Sequence, residues 1–305
     1  MSDGQGGVDD VRSSTPFSLQ FLTLGHVTRD IQPDGSFTLG GTVTFAARAA
    51  YRLGLAAGVV TCAAPDVLKE LASVLAGVML HTRPTVATTT FRNTYTHGFR
   101  TQYLHARADT LATTDVPVAW RDAPVVLLGP LAQEITPTLV ALFRRRSGAI
   151  IAATPQGWLR RWDADGRVWP TLWANAEQIV PLLDVLILSY DDLLPFVNGK
   201  RLEADALLHV WSTRVPLLVA TDGRHGATLF QRGSTRHFPA YFVEEVDPTG
   251  AGDVFAAAFL VALYRDGDAP HAVAFANCVA SFAIEHKGVQ GIPTLAMVEA
   301  RLKGA

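Results

Sequence analysis

Five continuous apolar runs alternate along this chain with stretches of helical spacing. "FSLQFLTLGHV" (Phe17 to Val27) precedes the Ala-rich "GGTVTFAARAAYRLG", and "APVVLLG" precedes "TPTLVALFRRR". "GAIIAAT", "DVLILS" after the helix-like "EQIVPLL", and "VPLLVATDG" repeat the theme. A strand that is apolar at every position has both faces covered, and strands separated by helices pair in parallel. The expected class is therefore α/β, with a mainly parallel central sheet between two helical layers. With 305 residues, 49% of them hydrophobic, the chain can bury such a core.

Two stretches depart from this pattern. "GSFTLGG" (Gly35 to Gly41) and "TVATTTFRNTYTHGFRTQYLHARADTL" (Thr85 to Leu111) are rich in Thr, Phe and Tyr with polar alternation. They read as antiparallel strands with one wet face. Two placements follow, a small sheet acting as a lid or an extension of the main sheet's edge. As lid segments they cover about residues 29–41 and 85–113, within a domain spanning 15–305 after a flexible tail at 1–14.

Charge and cysteine content narrow the function. A net charge of -2 gives no global attraction to nucleic acid or to an anionic membrane, so a small-molecule partner is expected. Cys62 and Cys278 both sit in Ala- and Val-rich surroundings, which supports neither a disulfide scaffold nor a cysteine metal site. The polar N-terminus lacks the features of a signal peptide, and the apolar run Val254 to Leu263 is about half a membrane span. A soluble, cytoplasmic protein is the expectation. Arg144 to Arg146 read as the solvated end of a helix, His97 and His105 as surface or lid histidines, and the tryptophans of "GWLRRWDADGRVWP" as packing under a loop.

The chemistry-bearing stretch is "VDPTGAGDVFAAAFLVAL" (Val246 to Leu263). It lacks the Gly-Lys-Ser/Thr ending of a P-loop, and Phe255 stands where a dinucleotide fingerprint needs its third glycine. No His-Glu-x-x-His or zinc spacing occurs elsewhere. Gly250, Ala251 and Gly252 nevertheless precede a helix whose first amides are unpaired, and such donors hold anions. Asp253 then has two readings. It is a carboxylate favoured by the helix dipole, or a general base beside an anion hole.

"DPTGAGDVF" resembles the signature of the ribokinase-like, or PfkB, carbohydrate kinases. Further segments match that family in order, from about Phe17 to Leu295: "GHVTRD" (Gly25 to Asp30) for its Gly-Asn-x-x-x-Asp, the double glycine Gly40-Gly41, and Thr221-x-Gly223-x-x-Gly226 for its nucleotide motif. The resemblance implies a three-layer ribokinase-like sandwich with a small β lid and a kinase that transfers phosphate from ATP, with Mg2+, to a sugar or polyol hydroxyl. It implies Asp253 as base and Gly250, Ala251 and Gly252 as anion hole. Asp30, Gly40 and Gly41 would hold the acceptor, while Thr221, Gly223, Gly226 and Asn277 would line the nucleotide site. In many members K+ sits on the equivalents of Asp247 and Thr249. Related lids often pair between subunits, so a homodimer through the lid is expected, without nucleic acid or membrane partners.

Two departures bear on the substrate and the metal. The family's Asn-x-x-Glu becomes Ser189 and Asp192, placing Ser189 at the nucleotide and leaving a shorter acid to reach Mg2+ through water. An asparagine usually found after the double glycine is Phe45, which argues against ribose. "GHVTRDIQPDGSFTLGGTVTFAARAA", "TTTFRNTY" and "PQGWLRR" look more like the inositol kinase branch, giving Asn93 and Gln156 as further hydroxyl partners. A nucleoside kinase and a catalytically weak sugar or polyol sensor are the alternatives.

Overall fold

The computed structural model describes residues 18–96, 99–143 and 148–304. The expected tail, Arg144 to Arg146 and His97 lie outside the described residues. Strands run in chain order as β1 Phe21–Leu24, β2 Thr28–Ile31, β3 Phe37–Gly40, β4 Ala57–Ala63, β5 Met79–Pro84, β6 Thr89–Thr96, β7 Phe99–Ala106 and β8 Val125–Leu128. They continue as β9 Ile150–Ala153, β10 Arg160–Trp162, β11 Val168–Pro170, β12 Val185–Ser189, β13 Leu217–Thr221, β14 Ala227–Gln231 and β15 Ser234–Phe238. The helices are α1 Thr42–Arg52, α2 Pro65–Val74, α3 Pro137–Ala141, α4 Ala176–Ile179, α5 Tyr190–Leu193, α6 Arg201–Ser212, α7 Ala251–Asp266, α8 Ala269–Ile284 and α9 Leu295–Gly304.

Nine strands form one sheet in the order β15-β14-β13-β12-β9-β8-β1-β4-β5. The stretch from β13 to β5 is parallel throughout, while β14 and β15 add as antiparallel edge strands. Successive side chains of β8 enter opposite cores, Val125 and Leu127 on one face and Val126 and Leu128 on the other. That period of two on a strand buried on both sides produces the unbroken apolar runs.

Helix α7 lies in the layer that also holds α1 and α8, and packs against both. Every residue from Val254 to Ala262 is buried, as expected for a helix that is apolar all round. Left-handed glycines bracket it, Gly250 at φ 78° before its first turn and Gly267 at φ 69° after its last. A side chain would be strained in that conformation.

The two Thr-rich stretches form a separate four-stranded sheet, β3-β2-β6-β7, rather than extending the large one. The expectation of antiparallel strands holds within each hairpin, but β2 and β6 pair in parallel. Residues 41–84, with two helices and two strands of the main sheet, supply the long crossover that a parallel pair requires.

"GWLRRWDADGRVWP" is not a loop throughout, since β10 and β11 form an antiparallel hairpin. Its tip docks on β7 through a Tyr103–Arg167 bridge, with the Leu104 N–H donating to the Gly166 carbonyl at 2.8 Å. Its tryptophans do pack as expected. Trp158 stacks on Trp173 at 4.8 Å between ring centroids, and Trp162 joins Phe91 and Leu104 in a satellite core. Among the described residues no helix is long and apolar enough to cross a membrane.

Candidate active site

The C-terminal ends of β1, β8, β9 and β12 open onto one cleft, the usual ligand position in a parallel sheet. Glycines allow the chain to crowd there. A Cβ on Gly25 would collide with the Gly129 carbonyl, and one on Gly129 with the side chain of Thr42. The close approach brings the start of α1 onto the strand ends. Gly41 caps that helix at φ 92°, where a side chain would strike the His26 carbonyl.

Asp253 occupies the first turn of α7 on the floor of this cleft. It is half-buried by accessibility, yet protein surrounds it on the remaining sides, and burial raises its carboxyl to about 6. The Thr42 hydroxyl donates to it and the charge of Arg160 favours its ionised form, while Asp192 and Asp30 oppose ionisation. The structure thus brings Asp30 and Asp192, both singled out from sequence, within electrostatic reach of Asp253.

The amides beside Asp253 sort differently from expectation. The Ala251 N–H donates to the Pro248 carbonyl at 3.1 Å and is spent on the turn. Among the described residues the amides of Gly250, Gly252 and Asp253 take no partner. The expected trio is therefore corrected from Gly250, Ala251 and Gly252 to Gly250, Gly252 and Asp253. The ring of Phe45 is buried and lies where a Cβ on Gly250 would go. Gly252 is helical, and a Cβ there would meet nothing within 4 Å. A methyl group there would stand in open space beside the unpaired amides.

At the end of β12, Ser189 caps α5 and its hydroxyl accepts from the Asp191 N–H at 3.1 Å. The Asp192 carboxylate accepts from the Ser189 N–H at 3.2 Å, completing a capping box, and from the Gln156 amide at 3.3 Å. Gln156, expected at the acceptor, thus turns its amide to an acid. Thr221 ends β13 half-buried, and Gly223 (φ 49°) and Gly226 (φ 97°) shape the turn after it. Gly226 presses on the backbone of 238–240 and Gly223 faces open space. Asn277 is buried, and its amide donates to the Phe238 and Pro239 carbonyls at 3.2 and 3.0 Å, so it braces the exit of β15. Asp247 accepts from the Thr249 N–H at 3.0 Å.

On the small sheet, Asp30 accepts from the Thr28 hydroxyl at 3.2 Å, and Gly40 makes room for its carboxylate. Asn93 lies on β6, its carbonyl accepting from the Gln102 amide at 3.2 Å across the small sheet. Beneath them His26 is wholly buried. Its Nε2–H donates to the Asp109 carbonyl at 2.8 Å, and its Nδ1 accepts from the Thr89 hydroxyl at 2.7 Å. Buried Glu134 accepts from the amides of His26, Leu131 and Ala132 at 2.8 to 3.0 Å. This network fastens both roots of the β6–β7 hairpin to the end of β1.

Sequence reasoning missed Thr42 and Arg160. Thr42 follows a double glycine and carries no motif of its own. Arg160 stood in a quoted segment, but nothing in the string separates it from Arg161 until β10 turns one inward and the other out.

The residues present suit the groups that the fold implies. Burial holds the Asp192 carboxyl above its ordinary range, a cost that a divalent cation would relieve. No group of three His, Cys, Asp or Glu side chains forms a cage among the described residues. Mg2+ typically enters with phosphates and keeps several waters, so one carboxylate suffices.

Residues 158–295 match the family described as pfkB family carbohydrate kinase. Probable fructokinase-5 of Arabidopsis thaliana is 31% identical over 168 residues, covering 51% of this chain and 52% of the relative. The chain thus spans about half the length of the curated relatives it matches. A pyrophosphate-dependent kinase in the ribokinase family, complexed with a pyrophosphate analog and myo-inositol, superposes with a TM-score of 0.78 at 23% identity, covering 92% of this chain and all of that one. Arabidopsis thaliana ribokinase, complexed with ribose and ATP, gives 0.73 at 18% identity, covering 94% and 99%. The chain therefore has the ribokinase-like fold over the more than nine-tenths of its length that superposes, and its residues 158–295 match the pfkB family of carbohydrate kinases.

Proposed function

We propose that this protein is a phosphotransferase that moves a phosphoryl group from ATP with Mg2+ to a hydroxyl of a sugar or cyclic polyol. One observation carries the reading: a carboxylate raised to about 6 stands in the same helical turn as unpaired amides, beside open space at Gly252 that we take as the cradle for an anion. Asp253 removes the proton from the acceptor hydroxyl, and the amides of Gly250, Gly252 and Asp253 carry charge on the phosphoryl group. Asp30 and the backbone at Gly41 orient the acceptor, with Asn93 contributing from the small sheet. Ser189, Thr221, Gly223 and Gly226 flank the donor, and Asp192 faces a hydrated Mg2+, which neutralises donor phosphates when bound. Asp247 and Thr249 are the position for K+. The small sheet excludes water, a competing acceptor. The β3 edge is available for a homodimer, since the hairpin tip already covers part of the β7 edge.

A second reading of the donor is pyrophosphate, favoured by the likeness to a kinase described as dependent on it and bound to myo-inositol. The buried, already bonded amide of Asn277 favours it too, being turned away from any base. The test is a turnover screen with ATP and pyrophosphate as donors, over inositols, pentoses, hexoses and nucleosides, with Mg2+ and with or without K+. Phosphorylation of an inositol or a sugar is the expected result. Ligand binding without phosphate transfer to any acceptor would instead identify a sensor.

A further inference from the structure

Arg160 opens β10, and the segment that leads into it is fastened to the loop of residues 130–133. The Gly157 N–H donates to the Pro130 carbonyl at 2.8 Å, and a Cβ on Gly157 would collide with the backbone of Pro130 and Leu131. Gln133, held at φ 57°, donates its amide to the Arg160 carbonyl at 2.5 Å. Arg107 in turn donates to the Ala132 and Gln133 carbonyls at 2.7 and 3.3 Å. A left-handed glutamine is uncommon and needs surroundings that enforce it. Here it serves to hold the start of β10. The pleat then sends Arg161 to solvent and Arg160 inward, its guanidinium 5.7 Å from the Phe91 ring.

From that inward position the charge of Arg160 acts on both Asp192 and Asp253, and Asp30 acts on Asp253 in turn. Gln156, one turn earlier in the same segment, holds Asp192. A donor polyphosphate must enter this acidic cleft, which has no P-loop lysine. A forked, permanently charged guanidinium on the strand whose preceding turn holds Asp192, with its charge felt at Asp253, suits a phosphoryl group passing over these acids.

We propose that Arg160 is a catalytic residue that clamps the phosphoryl group in transfer. The inference rests on the kinase reading. In the step, the acceptor oxygen loses its proton to Asp253 and forms a bond to the terminal phosphorus. The bond from that phosphorus to the bridging oxygen breaks, and the bridging oxygen leaves with the electron pair. Arg160 and the amides bear the charge on the non-bridging oxygens throughout.

The experiment uses the full chain with Arg160→Met and Arg160→Lys. The expected result for Arg160→Met is a fall in kcat of about 100- to 1,000-fold with acceptor KM within threefold, and an acid limb of the pH profile moved upward. Arg160→Lys, which keeps charge and stem but not the fork, is expected to lose at least about tenfold and carries the test if the methionine variant does not fold. Turnover within threefold of wild type in whichever variant folds overturns the proposal. If wild type phosphorylates no acceptor, the kinase reading has failed, and calorimetric titration with inorganic pyrophosphate decides on Arg160. Binding to wild type that weakens tenfold or more in the variant retains the anion clamp; unchanged or undetectable binding removes it.

Discussion

Asp192 and Asp253 occupy the same position, the third residue of a helix beginning at the cleft, and burial raises both carboxyls. Their partners differ. Asp192 follows a serine cap and reaches back to that cap's own N–H, so one oxygen closes a capping box and the other meets Gln156. Asp253 follows Gly250, which has no side chain to cap with, and its supporting hydroxyl comes from Thr42 on another helix. A capped start consumes its donors locally, whereas a glycine start leaves them for a ligand. The residue at the cap therefore decides whether an acid in the first turn serves the helix or the cleft.

The sharpest way to break this contrast is Asp253→Asn. Losing a positioned base costs about 100- to 10,000-fold in kcat, with donor binding by calorimetry retained; near-normal turnover would remove Asp253 from the mechanism. Stability should move the other way. A folded pKa of about 6 lies above the ordinary 3.8, so the folded state holds this proton more tightly than the unfolded chain. Ionisation therefore costs stability at every pH above 6, and the cost fades as pH falls from 6 towards 3.8. Thermal unfolding of Asp253→Asn should show a gain on the order of 2 kcal/mol at pH 8, shrinking by pH 4.

Gly252→Ala sharpens the same contrast from the amide side. The position is helical with open space beyond it, so the folded chain accepts alanine and helix propensity improves by up to about 1 kcal/mol. The methyl group nevertheless fills the cradle. Activity should fall at least about tenfold with Tm unchanged or raised, in line with the loss on removing one oxyanion-hole donor. Full activity would mean that no anion approaches these amides. Gly250→Ala differs, since φ 78° and the Phe45 ring make it a folding lesion of about 1 to 3 kcal/mol.

Much of this was legible in the string. Apolar runs between helical spacings gave the parallel sheet because both faces of β1, β8 and β12 are covered, and Asp253 was marked by its glycines. What escaped depended on direction and distance. The parallel pairing of β2 with β6 spans a 50-residue-scale crossover that no local pattern records. The inward turn of Arg160 depends on a hairpin whose tip must first dock on β7. Ala251 looked like a donor because nothing in "PTGAGD" says that its N–H closes a turn onto Pro248. Ser189 and Asp192 were read through the family's metal pair, while their spacing also met the simpler requirement of a capping box.

The pH dependence refines the comparison further. Activity on the acid side should fall with an apparent pKa of about 6 as Asp253 takes up its proton. Thr42→Val removes the hydroxyl that favours the ionised carboxylate, so this limb should move to higher pH by a fraction of a unit to about one unit, with kcat on the plateau little changed. A limb that stays in place would show that Thr42 packs against Gly129 without tuning the base.

The smallest effects fall on the capped helix, and they separate its two roles. Asp192→Asn keeps an oxygen for the Ser189 N–H but removes the charge facing a hydrated Mg2+. Ser189→Ala keeps the charge and loses the hydroxyl that accepts from Asp191. The cap change should cost about 0.5 to 2 kcal/mol of stability, read by denaturant unfolding, and alter kcat by no more than a few fold. The charge change should leave stability nearly even, because burying an ionised carboxyl is itself unfavourable. It should instead raise the Mg2+ concentration needed for half-maximal turnover by several fold. If Asp192→Asn shifts neither quantity, the box is ornamental to catalysis and Mg2+ is held by donor phosphates and water alone. In that case α5 positions the strand end at Ser189, and of the two acids only the one at the uncapped start of α7 takes part in the chemistry.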